Sequence, residues 1–404
     1  MRILYIDVNC KGSSTGKIVY DLYTQSKADG NAAAVAYGRG PLVSEDEIYK
    51  FGLDWETNIH AGLARITGFN GCFSPVSTHR LIRFIKGFKP DLVHIHELHA
   101  YFVNIKPLLE YLKKGDIPVV WTFHCEYMYT GKCGYAFECT NFQNECGNCP
   151  ARKDYPKSLF FDQTKQMLKR KKALLEGWKF TIVTPSQWLA DRVGMSFLKE
   201  KQIAVIPNGI DTSIFHPVEA RKLRAELKIP ENHKIALLVA PDIMSERKGG
   251  KWILKLAEQM KNENITFALV GNAASCDVPA NVLLIGEIRE QRRLAEFYSM
   301  ADVFLLCSQR ETYSMTCAET LCCGTPVVGF RCGAPETVFM PPYATFVGYG
   351  ELNELKVQIR TALAADFDRS KISEYAQERY SRQVMYKRYR AIYQNLLAEQ
   401  IVSQ

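Results

Sequence analysis

Short apolar runs recur along the chain, and most are followed by a loop and then by residues at helical spacing. Arg2 to Val8 reads as a strand, Asn9 to Lys17 as a loop, and Ile18 to Gln25 as a helix. Further strands are predicted at Ala32 to Tyr37, Leu92 to Ile95, Pro118 to Phe123, Phe180 to Val183 and Ile203 to Ile206. Helical stretches fall at Leu81 to Phe88, Val103 to Lys113, Asp162 to Glu176 and Trp188 to Phe197. β-Branched strands apolar on both faces, alternating with helices, predict a parallel, doubly wound α/β sheet. The turn at Pro207-Asn208-Gly209-Ile210-Asp211, with Phe215-His216-Pro217 behind it, reads as a linker. A second αβ series follows, with strands at Lys234 to Ala240, Ile265 to Val270, Val282 to Ile285, Val303 to Leu306 and Pro326 to Val328. Its helices are Trp252 to Lys261, Gln291 to Met300 and Cys317 to Cys323, and Ile372 to Leu397 is helical throughout.

A chain of 404 residues exceeds what one core holds, so two or more domains are expected. Its 47% hydrophobic and 23% charged residues describe an ordinary globular protein. The excess of 51 Lys+Arg over 43 Asp+Glu favours anionic ligands or an anionic membrane surface. It is too scattered to indicate nucleic-acid binding. Met1 to Val8 does not fit a signal peptide, and no run reaches the roughly 18 apolar residues of a membrane span. The expected location is cytoplasmic, with its thirteen cysteines mostly reduced.

Glu311 and Glu319 lie eight positions apart around a strand-loop-helix unit, either as solvated carboxylates or as a ligand site beyond a strand end. Spacing alone also permits an acid/base pair, as in glycoside hydrolases. The loop Asn9 to Lys17 is neither GxGxxG nor a P-loop. It is a tight strand-to-helix turn or a backbone that a polar ligand approaches. His94, Glu97 and His99 cluster at one strand exit, and His124 at another. For His94 and His96, structural or acceptor-side roles are favoured over zinc. Cys133, Cys139, Cys146 and Cys149, spaced C-x5-C-x6-C-x2-C, could hold a structural Zn²⁺, form two disulfides, or pack as free thiols. Lys165, Lys169, Arg170, Lys171 and Lys172 make Asp162 to Glu176 a basic amphipathic helix, read as a solvated surface or, more sharply, as a membrane contact.

A set of motifs in order then resembles the GT4 family of retaining glycosyltransferases. These are Asn208-Gly209-Ile210-Asp211, Arg247-Lys248-Gly249, Ala301-Asp302-Val303, Glu311-x7-Glu319, Cys323-Gly324-Thr325-Pro326-Val327-Val328 and Gly333-Ala334-Pro335-Glu336. Trp121-Thr122-Phe123-His124 and Thr130-Gly131-Lys132-Cys133 are similar to a bacterial branch that builds surface polysaccharides. The resemblance implies a GT-B fold: two facing Rossmann-like domains with a central cleft. Residues 1–210 would form the acceptor-side domain, with a Cys-rich insertion at 125–150. Residues 211–384 would bind the nucleotide-sugar, and a C-terminal helix at about 385–404 would pack back on the first domain.

By the same resemblance the chain moves a hexose-type sugar from a nucleotide-sugar to a glycan or lipid-linked acceptor, with retention and no required metal. His124, Arg247, Lys248 and Glu311 would act at the reacting centre. Gly16, Asn208, Ser314, Met315, Thr316, Glu319 and Glu336 would bind the donor, and Gly12, Ser13, Ser14 and Thr15 the acceptor side. Asp242 is a weaker candidate that could instead cap a turn. Two departures stand out. Thr312-Tyr313-Ser314 replaces Gly-Phe-Gly, which narrows the donor pocket, and Cys125-Glu126 follows His124 where the branch has Asp. The alternative to an enzyme is an inactive nucleotide-binding or zinc-stabilised interaction protein of the same fold.

Overall fold

The computed structural model describes residues 1–273 and 277–403. The chain divides into two compact units, one of residues 1–207 with 385–404 and one of 208–384. Residue 404, the last of the expected C-terminal helix, lies outside the described residues.

The N-terminal unit holds β1 (Arg2–Asp7), α1 (Ser14–Ala28), β2 (Ala32–Tyr37), β3 (Ile48–Lys50), α2 (Asp54–Thr67), α3 (Pro75–Phe88), β4 (Leu92–Ile95), α4 (Ile105–Lys114), β5 (Val119–Thr122), α5 (Thr164–Leu175), β6 (Thr181–Thr184), α6 (Gln187–Gly194) and β7 (Ile203–Val205). Its strands form one parallel sheet in the order β3-β2-β1-β4-β5-β6-β7. The order reverses between β1 and β4, so the loops leaving these two strands flank the crevice where such sheets bind ligands. β1, β4, β5 and β6 are buried almost throughout, which is why their sequences are apolar runs rather than alternations.

β3 and α2 have no counterpart in the sequence reading. β3 is three half-buried residues at the sheet edge, too short to show a period. α2 hides for another reason: it buries Glu56, Thr57 and His60 and exposes Trp55, Ile59 and Ile66. The Glu56 carboxylate accepts the N–H groups of Val76 and Ser77 in the first turn of α3. His60 Nδ1 lies 2.8 Å from the Ser74 hydroxyl.

The C-terminal unit holds α7 (Arg221–Glu226), β8 (Lys234–Asp242), α8 (Gly250–Gln259), β9 (Ile265–Asn272), β10 (Val282–Gly286), α9 (Gln291–Met300), β11 (Val303–Leu306), α10 (Met315–Cys322), β12 (Val327–Phe330), α11 (Pro335–Val338), β13 (Ala344–Val347), α12 (Leu352–Ala364) and α13 (Arg369–Tyr380). Its sheet is also parallel, ordered β10-β9-β8-β11-β12-β13. Phe215, read as part of a linker, is buried in this unit's core, and the division falls between Pro207 and Asn208. The helix expected from Ile372 to Leu397 is two, α13 and α14 (Arg382–Ser403). Ser381 is extended between them because Ile210 N–H bonds the Tyr380 carbonyl and Arg382 N–H bonds the Ile210 carbonyl. From residue 385 the chain belongs to the N-terminal unit. There Tyr393 OH meets His94 Nδ1 at 2.7 Å, and Tyr389 OH meets Thr122 Oγ1 at 2.8 Å. His94 Nε2 is 2.8 Å from Thr122 Oγ1, so His94 is a satisfied core histidine.

The insertion at 125–150 contains one 3₁₀ turn, Asn141–Gln143, and buried polar side chains brace it. Lys132 Nζ donates to the carbonyls of Arg152, Asp154 and Pro156 at 2.7 to 2.8 Å. Glu126 accepts the Ala136 N–H and the Tyr129 hydroxyl and pairs with Arg192. In α5, read from the sequence as a solvated surface or a membrane contact, one of the five basic residues faces inward. Lys171 is buried, donates to the Tyr127 and Thr130 carbonyls, and sits 3.7 Å from the Tyr127 ring centroid. Burial pushes its pKa down to about 7. Lys165 and Lys169 pair with Glu145 instead of standing free.

Lys132→Met removes the donor to three carbonyls while keeping most of the stem. Leaving such groups unpaired is expected to cost about 2 kcal/mol or more, read as a lowered midpoint in denaturant unfolding. An unchanged midpoint contradicts the bracing role.

Candidate active site

In the C-terminal unit, β11 delivers its exit loop to Glu311, whose backbone is held on both sides. Glu311 N–H bonds the Cys332 carbonyl, and Ala334 N–H bonds the Glu311 carbonyl. The Glu311 side chain is nearly buried and lies 2.6 Å from Lys248 Nζ and 3.4 Å from Arg247 Nη1. Burial acts to raise its pKa, but the Lys248 and Arg247 charges outweigh this and hold the carboxyl below its usual range. Both cations come from the loop between β8 and α8, which Gly249 ends with φ 72°. A Cβ there would meet the Cys307 carbonyl oxygen at 2.1 Å, so only glycine lets this loop lie against the end of β11.

Ser314 caps α10, its hydroxyl accepting Cys317 N–H, while its own φ is 84°. The serine thus keeps a glycine-like backbone at a position where the resemblance expects glycine. Tyr313 is buried and donates to the Asn208 carbonyl at 3.0 Å. Asn208 Oδ1 is buried with no hydrogen-bond partner among the described residues. Met315 and Thr316, both half-buried, form the first turn of α10, whose leading N–H groups and dipole suit an anion. Glu319 follows on α10, buried, and accepts the Tyr298 hydroxyl at 2.9 Å. Glu336 accepts the N–H groups of Cys332 and Gly333, closing the loop after β12. Asp242 is exposed at the end of β8, and its carbonyl accepts the Ser245 hydroxyl as part of a turn.

In the N-terminal unit, a cavity of about 620 Å³ lies against the ends of β1, β4 and β5. Ser13, Ser14 and Thr15 line one side, and Glu97, His99 and His124 another. Ser13 caps α1 by accepting Gly16 N–H. A Cβ on Gly16 would meet the Asn9 carbonyl oxygen at 3.2 Å, so the loop is a tight turn, with Gly12 exposed beyond it. His124 Nε2 sits 3.0 Å from His96 Nδ1. Burial holds the His124 pKa down to about 4, so its ring is neutral at neutral pH. Sequence reasoning missed Asp7, which accepts Glu97 N–H from the end of β1. Its signal was a lone acid closing an apolar strand. Burial raises its pKa to about 7.

The Glu97 carboxylate lies 2.9 Å from His99 Nε2 and 3.2 Å from Cys125 Sγ. Among the described residues, these three are the set whose ligand atoms all lie within 4.8 Å of one another. Cys133, Cys139, Cys146 and Cys149 are half-buried and form no disulfide. The neighbouring Cys133 thiol draws the Cys149 pKa down to about 7, and Cys146 Sγ accepts Gly131 N–H at 3.3 Å.

Two family descriptions match in series: "Glycosyltransferase Family 4" over residues 16–214 and "Glycosyl transferases group 1" over residues 219–379. The chain is 25% identical to the putative colanic acid biosynthesis glycosyl transferase WcaC of Escherichia coli K12, over 98% of this chain and all of that one. It is 26% identical to an alpha-galactosylglucosyldiacylglycerol synthase of Streptococcus pneumoniae, over 46% of this chain and 53% of that one. Among solved structures it is similar to a sucrose-phosphate synthase from Thermosynechococcus elongatus, with a TM-score of 0.70 at 17% identity, covering 98% of this chain and 99% of that one. It is also similar to Anabaena Alr3699/HepE in complex with UDP-glucose, with a TM-score of 0.66 at 16% identity and full coverage of both chains.

Burial acts to lower the His99 pKa, but Glu97 outweighs it and raises the value above 6.5; burial acts to raise the Glu97 pKa, but His99 outweighs it and holds the carboxyl below 4.5. The His99 share of stability is complete below pH 6.5 and is lost as pH rises through the raised value. The Glu97 share is complete above pH 4.5 and is lost as pH falls through the lowered one. The melting-temperature gap between wild type and His99→Gln should therefore be widest between pH 4.5 and 6.5 and shrink toward alkaline pH. A gap independent of pH contradicts the ion pair. Two parallel Rossmann-like sheets, matched in series by glycosyltransferase descriptions, place this chain in the GT4 family of glycosyltransferases, on the GT-B fold.

Proposed function

We propose that the chain transfers a hexose-type sugar, with retention, from a nucleotide-sugar to a glycan or lipid-linked acceptor in polysaccharide biosynthesis. The observation that carries this is the pairing of Glu311 with Lys248 and Arg247 beside the start of α10. The leaving group of such a donor is a nucleoside diphosphate. Arg247 and Lys248 would neutralise it, with the α10 N–H groups aimed at the same charge. Glu319 would accept the ribose hydroxyls and Glu311 the sugar hydroxyls. Asn208 and Glu336 complete the donor set in this reading. In the N-terminal unit the 620 Å³ cavity, with Ser13 to Thr15 and neutral His124, would take the acceptor. WcaC, whose full length the chain spans, supports the polysaccharide setting. The intact charged cluster speaks against an inactive binding protein. No metal is assigned to catalysis.

A panel of UDP-, GDP- and ADP-sugars, followed by nucleotide release, tests the reading. One donor class should be turned over, and none turned over despite nucleotide binding would contradict it. Glu319→Gln should raise the donor KM about tenfold with kcat little changed, and Lys248→Ala should lower kcat about a hundredfold. Unchanged kinetics in both variants contradict these roles.

We also propose that Cys133, Cys139, Cys146 and Cys149 bind a structural Zn²⁺, the ion that four thiolates select. The N–H bond on Cys146 supports this; no three of the four sulfurs lie within 4.8 Å of one another, so the ion would have to draw them together. The purified protein should carry about one zinc per chain, and Cys149→Ser should lose it and melt lower. Zinc-free protein of undiminished stability contradicts the site.

A further inference from the structure

α2 is turned inside out. Trp55, Ile59, Leu63 and Ile66 recur at i, i+4, i+8 and i+11, which places them on one face, and they are 56%, 54%, 38% and 49% exposed. The opposite face buries Glu56, Thr57, His60 and Ala64. A surface helix ordinarily does the reverse. The chain extends this apolar face with a second segment: Leu159, Phe160 and Phe161 are consecutive and exposed. They are docked on the end of α2, where Leu159 N–H bonds the Arg65 carbonyl. A Cβ on Gly68 would meet the Phe161 carbonyl oxygen at 2.8 Å, so the two segments touch.

Cations rim the patch. Arg65 lies beside Ile66, and Lys157 precedes Leu159; both are exposed. The Arg170 guanidinium lies over the Phe69 ring, 4.4 Å from its centroid. Two exposed acids adjoin the patch and both are engaged: Asp162, next to Phe161, accepts the Cys149 and Thr164 N–H groups, and Asp54, at the other end, is paired with Lys50. A twofold dimer through this face would set the same cations against one another. An anionic surface would complement them.

We propose that this face docks on an anionic lipid bilayer, with Trp55, Ile59, Leu63, Ile66, Phe160 and Phe161 entering the headgroup boundary and the rim cations meeting lipid phosphate. An interfacial helix binds through this combination of apolar area and basic flanks. The surface is centred on α2 rather than on the basic helix α5 singled out in the sequence, which lends it Arg170 while its Lys171 is buried. It does not depend on which donor or acceptor the enzyme uses.

The test is flotation of the full chain with phosphatidylglycerol-containing vesicles and with neutral phosphatidylcholine vesicles, beside the variant I59S/L63S/F160S/F161S. The wild type should float with the anionic vesicles, bind the neutral ones about tenfold less, and lose binding as salt rises. The variant should bind about tenfold less, melt normally and turn over soluble donor as before, because its four positions are exposed and outside the charged cluster. Trp55 emission should shift to the blue on vesicle addition. Wild type that does not float, or a variant that floats equally, overturns the proposal. So does a wild-type dimer in sedimentation that the substitutions dissociate, which would assign the face to a second copy.

Discussion

The C-terminal unit turns on one buried carboxylate. Glu311 cannot be held ionised in a nearly closed site without opposite charge close by, and Lys248 and Arg247 supply it from 63 and 64 residues away in sequence. That pairing fixes the loop between β8 and α8, which lies close only because Gly249 carries no side chain. It also fixes the exit of β11, whose backbone is pinned by Cys332 and Ala334. Removing one partner of such a cluster typically costs about 3–5 kcal/mol, since a charge is then left buried and uncompensated. The same arrangement concentrates positive charge beside the start of α10. A single electrostatic constraint thus shapes the local fold and leaves two cations beside the start of a helix.

The N-terminal unit solves a similar problem with neutral groups and with the buried pairs Glu97–His99 and Glu126–Arg192. Its histidines are distributed by function: His94 is locked among Thr122 and Tyr393, while His124 and His96 share a contact at the cavity wall. His99 is drawn toward its charged form by Glu97. Lys132 from within the insertion and Lys171 from α5 each donate to backbone carbonyls there. A segment with almost no regular structure is thereby ordered by charge-assisted hydrogen bonds.

Much of this was legible in the sequence because central parallel strands are buried on both faces and read as apolar runs. Leu92–Ile95 and Val303–Leu306 fall where their composition placed them. What could not be read are elements whose burial inverts their chemistry. α2 buries glutamate and histidine and shows tryptophan and isoleucine, so no period-3.6 apolar face pointed inward. Lys171 looked solvated because its neighbours in sequence are, whereas its partners are carbonyls 41 and 44 residues away. The break at Ser381 depends on Ile210, a pairing no local pattern encodes. The candidate carboxylates and cations were identifiable individually. That Glu311 holds both cations was visible only in three dimensions.

The central claim is that the Glu311-centred cluster and the start of α10 form a nucleoside-diphosphate site. Calorimetric titration of nucleoside mono- and diphosphates into wild type and Arg247→Ala tests it most directly. The diphosphate should bind wild type more tightly than the monophosphate, and Arg247→Ala should erase that preference while leaving monophosphate binding in place. Equal affinity for both nucleotides in the wild type, or a preference that survives the substitution, would contradict the account.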